Sequence, residues 1–209
     1  SYNAEGLIVD SIDSILKQTY KNLEILVIDD ASDDNSFEIL EDISKRKHNV
    51  KIYKNNKNVG LTKSLNFLIS ESSGNFIARH DIDDISHPLR FERQLSLLEK
   101  LNLDFCTTRA IIKDTGQLIP RFSHLLPNKL TIKYKNPFIH GTLMIKKEVM
   151  TQIGSYDENF YYAQDYKLFT TLLKENYRHK TIRSPLYTLN MTDNISSLKK
   201  NQQKYYFEC

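Results

Sequence analysis

The sequence is poor in the features that mark several protein classes. Cysteine occurs only twice in 209 residues, as Cys106 in an apolar run and Cys209 at the last position. That rules out a disulfide framework and leaves no clustered Cys/His spacing for a zinc site. A reducing, cytoplasmic setting is the expectation. No stretch approaches the roughly 18 consecutive apolar residues of a membrane-spanning helix, and no basic-then-apolar leader opens the chain. The six glycines stand singly, which argues against a nucleotidylyltransferase, because that class needs a glycine-rich phosphate loop near its start. Net charge is slight: 29 basic against 26 acidic residues leaves +3. Nucleic acid is therefore not an expected partner, since backbone recognition needs a concentrated basic face. Internal repeats, low-complexity tracts and Gly/Ser linkers are also missing. One domain over 1–209 is expected, in two lobes of 1–102 and 103–209.

What is present is the composition of an ordinary globular chain, 40% hydrophobic and 26% charged, sufficient for a real core. Ile8, Ile12, Ile15 and Leu16 recur at helical spacing. Leu23 to Ile28 is a short run of branched residues, too brief for a helix, and reads as a buried strand ending at Asp29 and Asp30. The alternation continues with a helix over Phe37 to Lys47, a strand at Val50 to Tyr53, a helix from Leu61 to Ser70 and a strand at Phe76 to Arg79. Repeated strand and helix predict an α/β fold with a mixed, mostly parallel central sheet flanked by helices. Pro88 is placed to open a helix from Leu89 to Lys100. Leu103 to Ile112, a turn at Asp114-Thr115-Gly116 and a run to Ile119 predict an antiparallel hairpin. Beyond it, a strand near Thr142 to Ile145, a short helix before Gly154, a helix from Asp165 to Asn176 and a strand near Thr181 to Ile182 are expected.

In such sheets ligands lie beyond the carboxyl ends of the strands, and two strands end there in carboxylates: Asp29/Asp30 and Asp81/Asp83/Asp84. Grouped carboxylates repel, and a hard divalent cation such as Mg²⁺ or Mn²⁺, usually carrying phosphate, explains their grouping. Asp29, Asp33 and Asp34 taken alone read as turn formers and helix caps. Asp30, Ser32, Asp34 and Glu41 fall on EF-hand ligand positions, but Asn35 stands where that loop needs Gly and a strand precedes it.

An ordered series of motifs now stands out: Ser1-Tyr2-Asn3, Ile28 to Asp34, Asn58-Val59-Gly60, Ala78 to Asp84 through Pro88, Arg90 and Gln94, Asn136 to His140, Gly154 to Asp157, and Ala163-Gln164-Asp165-Tyr166. Over nearly the whole chain this resembles the family 2 inverting glycosyltransferases of the GT-A fold, above all bacterial enzymes of capsule, exopolysaccharide and lipopolysaccharide synthesis. The resemblance implies transfer of a sugar from a nucleotide donor, UDP-linked if Asp30 accepts from the uracil N–H, to a glycan or lipid-linked glycan acceptor. By the same resemblance 1–102 binds the nucleotide-sugar and 103–209 the acceptor.

Residue by residue, the resemblance has Tyr2 stacking on the base, with Asn3 and Glu5 beside it. It makes Asp81 and Asp83 an Asp-x-Asp motif, with Asp83 the Mg²⁺ or Mn²⁺ ligand and Asp81 near the ribose or a metal-bound water. Asp165 becomes the base that deprotonates the acceptor hydroxyl. His140 and Gln164 fall on the donor or acceptor sugar, and Tyr161 and Tyr162 on a sugar platform. Asp84 is open between the site and an N-cap of the following helix. Two departures favour the alternative of a catalytically silent nucleotide-sugar-binding domain. Gln164 stands where the family often has Glu, and Leu189-Asn190-Met191-Thr192 replaces a Tyr-Arg-x-His type stretch.

The family also places a buried strand before Ser1, so residues upstream are expected. Direct pairing of the strands of Ile25 and Phe76 would contradict that. Lys199, Lys200 and Lys204 with Tyr205, Tyr206 and Phe207 are candidates for peripheral contact with the inner face of the membrane.

Overall fold

The computed structural model describes residues 1–121, 126–160 and 162–191. Tyr161 and the Lys199 to Phe207 segment lie outside the described residues. The first half follows the apolar periodicity closely: α1 (Ile8–Leu16), β1 (Ile25–Asp29), α2 (Ser36–Arg46), β2 (Val50–Lys54), α3 (Leu61–Glu71) and β3 (Phe76–Ala78). Then come β4 (Ile85–Ser86), α4 (Arg90–Leu101), β5 (Phe105–Ile112), β6 (Leu118–Ile119), α5 (Asn128–Thr131), a 3₁₀ turn (His140–Thr142), β7 (Met144–Lys146), α6 (Lys147–Gln152), α7 (Gln164–Lys174) and β8 (His179–Leu189).

Two sheets form. β1 and β2 pair in parallel, with Ile25 opposite Val50. The larger sheet has the order β3-β7-β5-β8-β4, with β6 on β5 as the expected hairpin. The α/β class and the mixed sheet are as expected, but mostly parallel character is confined to β1–β2 and β5–β8. The pairs β3–β7, β5–β7 and β4–β8 are antiparallel. For the two pairs of β7 the reason is its route: it enters from the 3₁₀ turn at the end where β3 leaves, with no crossover helix to reverse it, so it runs against both neighbours. β1 and β3 sit in separate sheets and do not pair. Ser1 lies along β1, its nitrogen donating to the Ile28 carbonyl (2.8 Å) and its carbonyl accepting from the Asp30 N–H (2.9 Å).

The alternation of β5 and β7 divides the core between the two faces of the sheet. Phe105 and Ile145, both fully buried, pack with Leu143, Leu168, Phe169 and Leu172 toward α3, α6 and α7. Cys106 and Met144 pack on the other face with Ile15, Phe91, Leu98 and Leu103, toward α1 and α4. Burial of these side chains, each worth about 1.5–3 kcal/mol, holds the loops at the ends of β1 and β3 beside one another.

Candidate active site

The first lobe binds its own N-terminal segment tightly. Asn3 takes a left-handed backbone (φ 47°), which Asn tolerates better than most residues. Its N–H donates to Ser32 Oγ and its Oδ1 accepts from the Asp33 N–H, at 3.0 and 2.9 Å. Glu5 Oε2 accepts from the Asn35 backbone and side chain, and the Glu5 N–H donates to Asp34. Tyr2 is left about half exposed, at 49%. Asp29 serves as a turn former, accepting from the Ser32 N–H and hydroxyl. Asp30 is buried, and its carboxylate accepts from Asn55 Nδ2 (2.7 Å), the Val59 N–H (2.9 Å) and the Gly60 N–H (2.8 Å). A carboxylate has about four lone-pair sites, so one remains on the oxygen that faces Gly60. With Asp30 thus engaged, a strand before it, and Glu41 paired to Lys45 on exposed α2, no EF-hand forms.

β3 delivers the acidic loop. The Arg79 N–H donates to the Leu143 carbonyl, anchoring the loop to the turn before β7, and the Asp84 N–H closes a turn onto the Asp81 carbonyl (3.1 Å). Each carboxylate of the loop then has a separate environment. Asp81 is paired with the Arg79 guanidinium. Burial is the largest single influence and pushes its carboxyl up, but Arg79, with His140, His80 and Arg90 behind it, holds it below the usual range. Asp84 is buried, accepts from the Asn190 N–H (2.8 Å) and is hydrogen-bonded by Tyr187. Burial first, then Asp81 and Asp83, push its carboxyl up to about 8. It is not the N-cap of α4: Leu89 holds that position and no side chain caps it. The Asp84 oxygens face β8 instead. Asp83 alone receives no hydrogen bond from another residue among the described residues, and burial with the neighbouring Asp81 raises its carboxyl.

Beneath the loop lies a polar network that sequence reasoning did not assign to the site. The Arg90 guanidinium is fully buried and donates to Gln94 Oε1 (2.9 Å), Ser86 Oγ (2.8 Å) and the Arg79 carbonyl (2.5 Å), while lying over the Tyr187 ring. Burial lowers it to about 10, so it stays a cation at neutral pH. Ser86 Oγ, already accepting from Arg90, has its proton free for His80 Nδ1 (3.1 Å). His80 Nε2–H can then donate to Ser11 Oγ (2.9 Å), which passes its own proton to the Asp81 carbonyl (3.3 Å). Burial, then Arg90, hold His80 down to about 3, which keeps it neutral as this scheme requires. The signal for the network was in the sequence. The buried face of α4 is Arg90, Phe91, Gln94 and Leu98, an apolar stripe in which two positions are polar.

The remaining expected site residues come from the second half. His140 Nε2 meets the Tyr156 hydroxyl at 2.7 Å, and the two rings sit edge to face. Asn66 fixes Tyr156 by bonding both its backbone N–H and carbonyl. Asp165 lies in the first turn of α7. It is not the cap residue; Ala163 is. Asn136 Nδ2 donates to Asp165 Oδ2 at 2.8 Å, and Oδ1 takes no hydrogen bond from another residue among the described residues. Gln164 is buried with its Oε1 unpartnered.

Electrostatic neighbourhoods join these groups. The Ser1 nitrogen is in range of Asp29, Asp30, Asp81 and Arg79, and also of Asp83. His140 and Tyr156 are in range of both Asp81 and Asp165. Charge interactions thus link the Ser1 end of β1 to the acidic loop, and the acidic loop to the His140–Tyr156 pair and Asp165. No group of three or more His, Cys, Asp or Glu side chains is arranged to enclose a metal among the described residues. A lone unpartnered carboxylate fits Mg²⁺ or Mn²⁺ nonetheless, because such ions usually take one or two carboxylates and complete their shell with water and substrate phosphates.

The glycosyl transferase family 2 model matches residues 1–158. The O-antigen biosynthesis glycosyltransferase WbnJ of Escherichia coli is 34% identical over 208 residues, covering 95% of this chain and 79% of the relative. WfgD of the same species, a UDP-Glc:alpha-D-GlcNAc-diphosphoundecaprenol beta-1,3-glucosyltransferase, is 36% identical over 179 residues, covering 84% and 68%. Among solved structures, S. aureus TarS 1-349 in complex with UDP matches with TM-score 0.78 at 21% identity, over 91% of this chain and 58% of that one. The mannosyltransferase PcManGT from Pyrobaculum calidifontis, in complex with GDP-Man and Mn2+, matches with TM-score 0.75 at 14% identity, over 97% and 58%. At those identities the two structures establish a shared fold. The family match, spanning the N-terminal segment, the acidic loop and the His140 turn, together with the two close relatives, shows that this chain belongs to glycosyl transferase family 2.

Proposed function

We propose that this domain transfers a hexosyl or N-acetylhexosaminyl unit, with inversion, from a UDP-sugar to a hydroxyl of a glycan or lipid-linked glycan, at the cytoplasmic face of the membrane. The observation that carries the proposal is the division of labour among the carboxylates. Asp83 takes no hydrogen bond from another residue among the described residues, and Asp165 is held by Asn136 through one oxygen only. Inverting transfer needs two such sites, one where the diphosphate leaves and one where the acceptor proton is taken.

Tyr2 supplies a flat, half-exposed face for the base, and the remaining lone pair of Asp30 suits the uracil N–H. Asn3 and Glu5 hold the loop that presents them. Asp83 would hold Mg²⁺ or Mn²⁺, which when bound neutralises charge on the departing diphosphate. Asp81, tied to Arg79, lies on the ribose side. His140 and Gln164 line the sugar, and Asp165 Oδ1 receives the acceptor proton. WfgD's UDP-Glc donor, the UDP in TarS and the Mn2+ in PcManGT support the choice of donor and ion.

Turnover of labelled UDP-sugars by Asp83→Ala and Asp165→Asn tests the assignment. Each variant is expected to lose about 10²-fold or more, and wild-type rates in both would end it. A second reading, a domain that binds nucleotide-sugar without turnover, is favoured by Gln164 in place of a carboxylate. UDP binding with no product from any donor would support that reading.

A further inference from the structure

Between Asp114 and Glu148 the sequence contains no acidic residue, while it carries Arg121, Lys129, Lys133, Lys135, Lys146 and Lys147. The structure places part of this stretch as a two-sided ridge. Hydrogen bonds from Lys133 to Leu130, and from Tyr134 and Lys135 to Thr131, carry the helical turns of α5 on to residue 135. Thr131 and Ile132 face inward at 6% exposure each, and the Ile132 carbonyl accepts from the Tyr166 hydroxyl of α7. Away from that side Leu130 and Tyr134, four residues apart as on one helix face, are 58% and 87% exposed, and Leu126, just before the N-cap Pro127, is 59% exposed. Lys129, Lys133 and Lys135 flank them, all exposed. Neither Lys133 nor Lys135 makes an ion pair among the described residues.

We infer that this ridge docks the domain on an anionic lipid bilayer, with Leu126, Leu130 and Tyr134 entering the headgroup boundary and the lysines meeting lipid phosphates. Three apolar side chains are too few for a stable protein interface, which needs about 800 Å² per partner. Apolar tips among lysines, with a tyrosine whose ring and hydroxyl suit opposite sides of the boundary, match an interfacial anchor. The ridge also adjoins the site: Asn136, the residue after Lys135, holds Asp165. Docking would therefore orient the domain with the segment that holds Asp165 close to the bilayer. That orientation rests on the proposed function and would present the base to a lipid-linked hydroxyl; the docking itself does not depend on it.

Co-sedimentation of the full chain with phosphatidylcholine vesicles, with and without phosphatidylglycerol, tests the inference. Binding is expected only with the anionic lipid and should fall with salt. Lys133→Glu/Lys135→Glu should weaken partitioning by about tenfold or more, whereas the charge-matched Lys21→Glu/Lys100→Glu stays within about threefold. Leu130→Asn/Tyr134→Ser should weaken it as well. The inference is overturned by any of four outcomes: no binding of the wild type, wild-type binding by the ridge variants, equal loss in the charge control, or loss with the lysine pair alone. The last would mean attraction to any polyanion. Thermal unfolding verifies that each variant is folded. Turnover of donor with a soluble acceptor should be unchanged in the ridge variants, so failure of docking and failure of the transferase assignment are read separately.

Discussion

Gly141 lies so close to Tyr187 that a methyl group on its Cα would fall 2.5 Å from the tyrosine hydroxyl, and 2.7 Å from Asp81 Oδ2. The contact is on the 3₁₀ turn that also carries His140, so backbone from the second half is pressed against the acidic loop from the first. The hydroxyl is in turn fixed, accepting from the Asp81 N–H (3.0 Å) and bonding Asp84.

Gly141→Ala therefore cannot be absorbed by a simple rotation of Tyr187. The expected result is destabilisation of about 1–3 kcal/mol, the usual cost of overpacking, with weaker UDP binding because Asp81 must move. Gly6→Ala is the matched control, since nothing lies within 4 Å of the added methyl. Urea unfolding and UDP titration of both variants check this; equal behaviour of the pair would contradict the close approach.

Arg90 is a buried cation held by two side chains and one carbonyl, with no carboxylate bonded to it among the described residues. Arg90→Lys keeps the charge but cannot place donors on Gln94, Ser86 and the Arg79 carbonyl together, because one ammonium does not reproduce the guanidinium fork. A loss of about 2–4 kcal/mol is expected from the acceptors left unsatisfied. As Arg90 acts through Ser86 and the Arg79 carbonyl on the loop, UDP affinity should fall in variants that are still folded, measured by calorimetry at a temperature well below unfolding.

These groups also show how far the sequence could be read. The apolar runs of β1 and β2 and the periodic α1, α3 and α4 were legible because each buries one continuous stripe. β8 was not: only Thr181 to Ile182 was expected, yet the strand runs His179–Leu189. Lys180, Arg183 and Pro185 hide it from any apolar pattern. Its backbone is satisfied by β5, with a register shift near Arg109 that accommodates Pro185, which has no N–H to donate. At the site, the carboxylates were legible as an ordered series, but their separate partners were not. Whether Asp84 faces the site or β8 depends on Asn190 and Tyr187, more than a hundred residues away in the chain. The peripheral partners of Asp165 and Asp81, namely Asn136 and Arg79, sat inside the motifs without a role that spacing could reveal.

Asn136 is the simplest test of Asp165. With Oδ2 held by Asn136 Nδ2, the rotation of the carboxylate is restricted. Asn136→Ala frees it to rotate, so kcat should fall by about 10–10²-fold while KM for the donor changes little, because the residues proposed for the base, ribose and metal lie within 1–102. Asn136→Gln, a longer amide, should recover part of the rate. A purely structural role would instead lower stability and leave kcat of the folded fraction intact, so the kcat and KM split decides.

The pH dependence of stability isolates His80. Its folded value is lowered to about 3 by burial and then by Arg90, against about 6.5 unfolded. Below about 6.5 the unfolded chain binds a proton that the folded chain refuses, so the neutral ring's stabilisation is complete above that value and is lost as pH falls toward about 3. From pH 7 to pH 5 the loss is about 2 kcal/mol. Asp84 has the opposite sign: its carboxyl, raised to about 8, favours the folded state increasingly as pH falls through that range. The two slopes oppose each other in the wild type, so the total pH profile is a poor measure of either. Comparing wild type with His80→Asn removes the carboxylate contributions common to both. Asparagine keeps a hydrogen-bonding group near Ser11 and Ser86 but does not titrate, so the gap between the two proteins should narrow by about 2 kcal/mol between pH 7 and pH 5. Urea unfolding at half-unit pH steps would show it, and a gap independent of pH would mean that His80 titrates in the folded protein as it does in the unfolded chain.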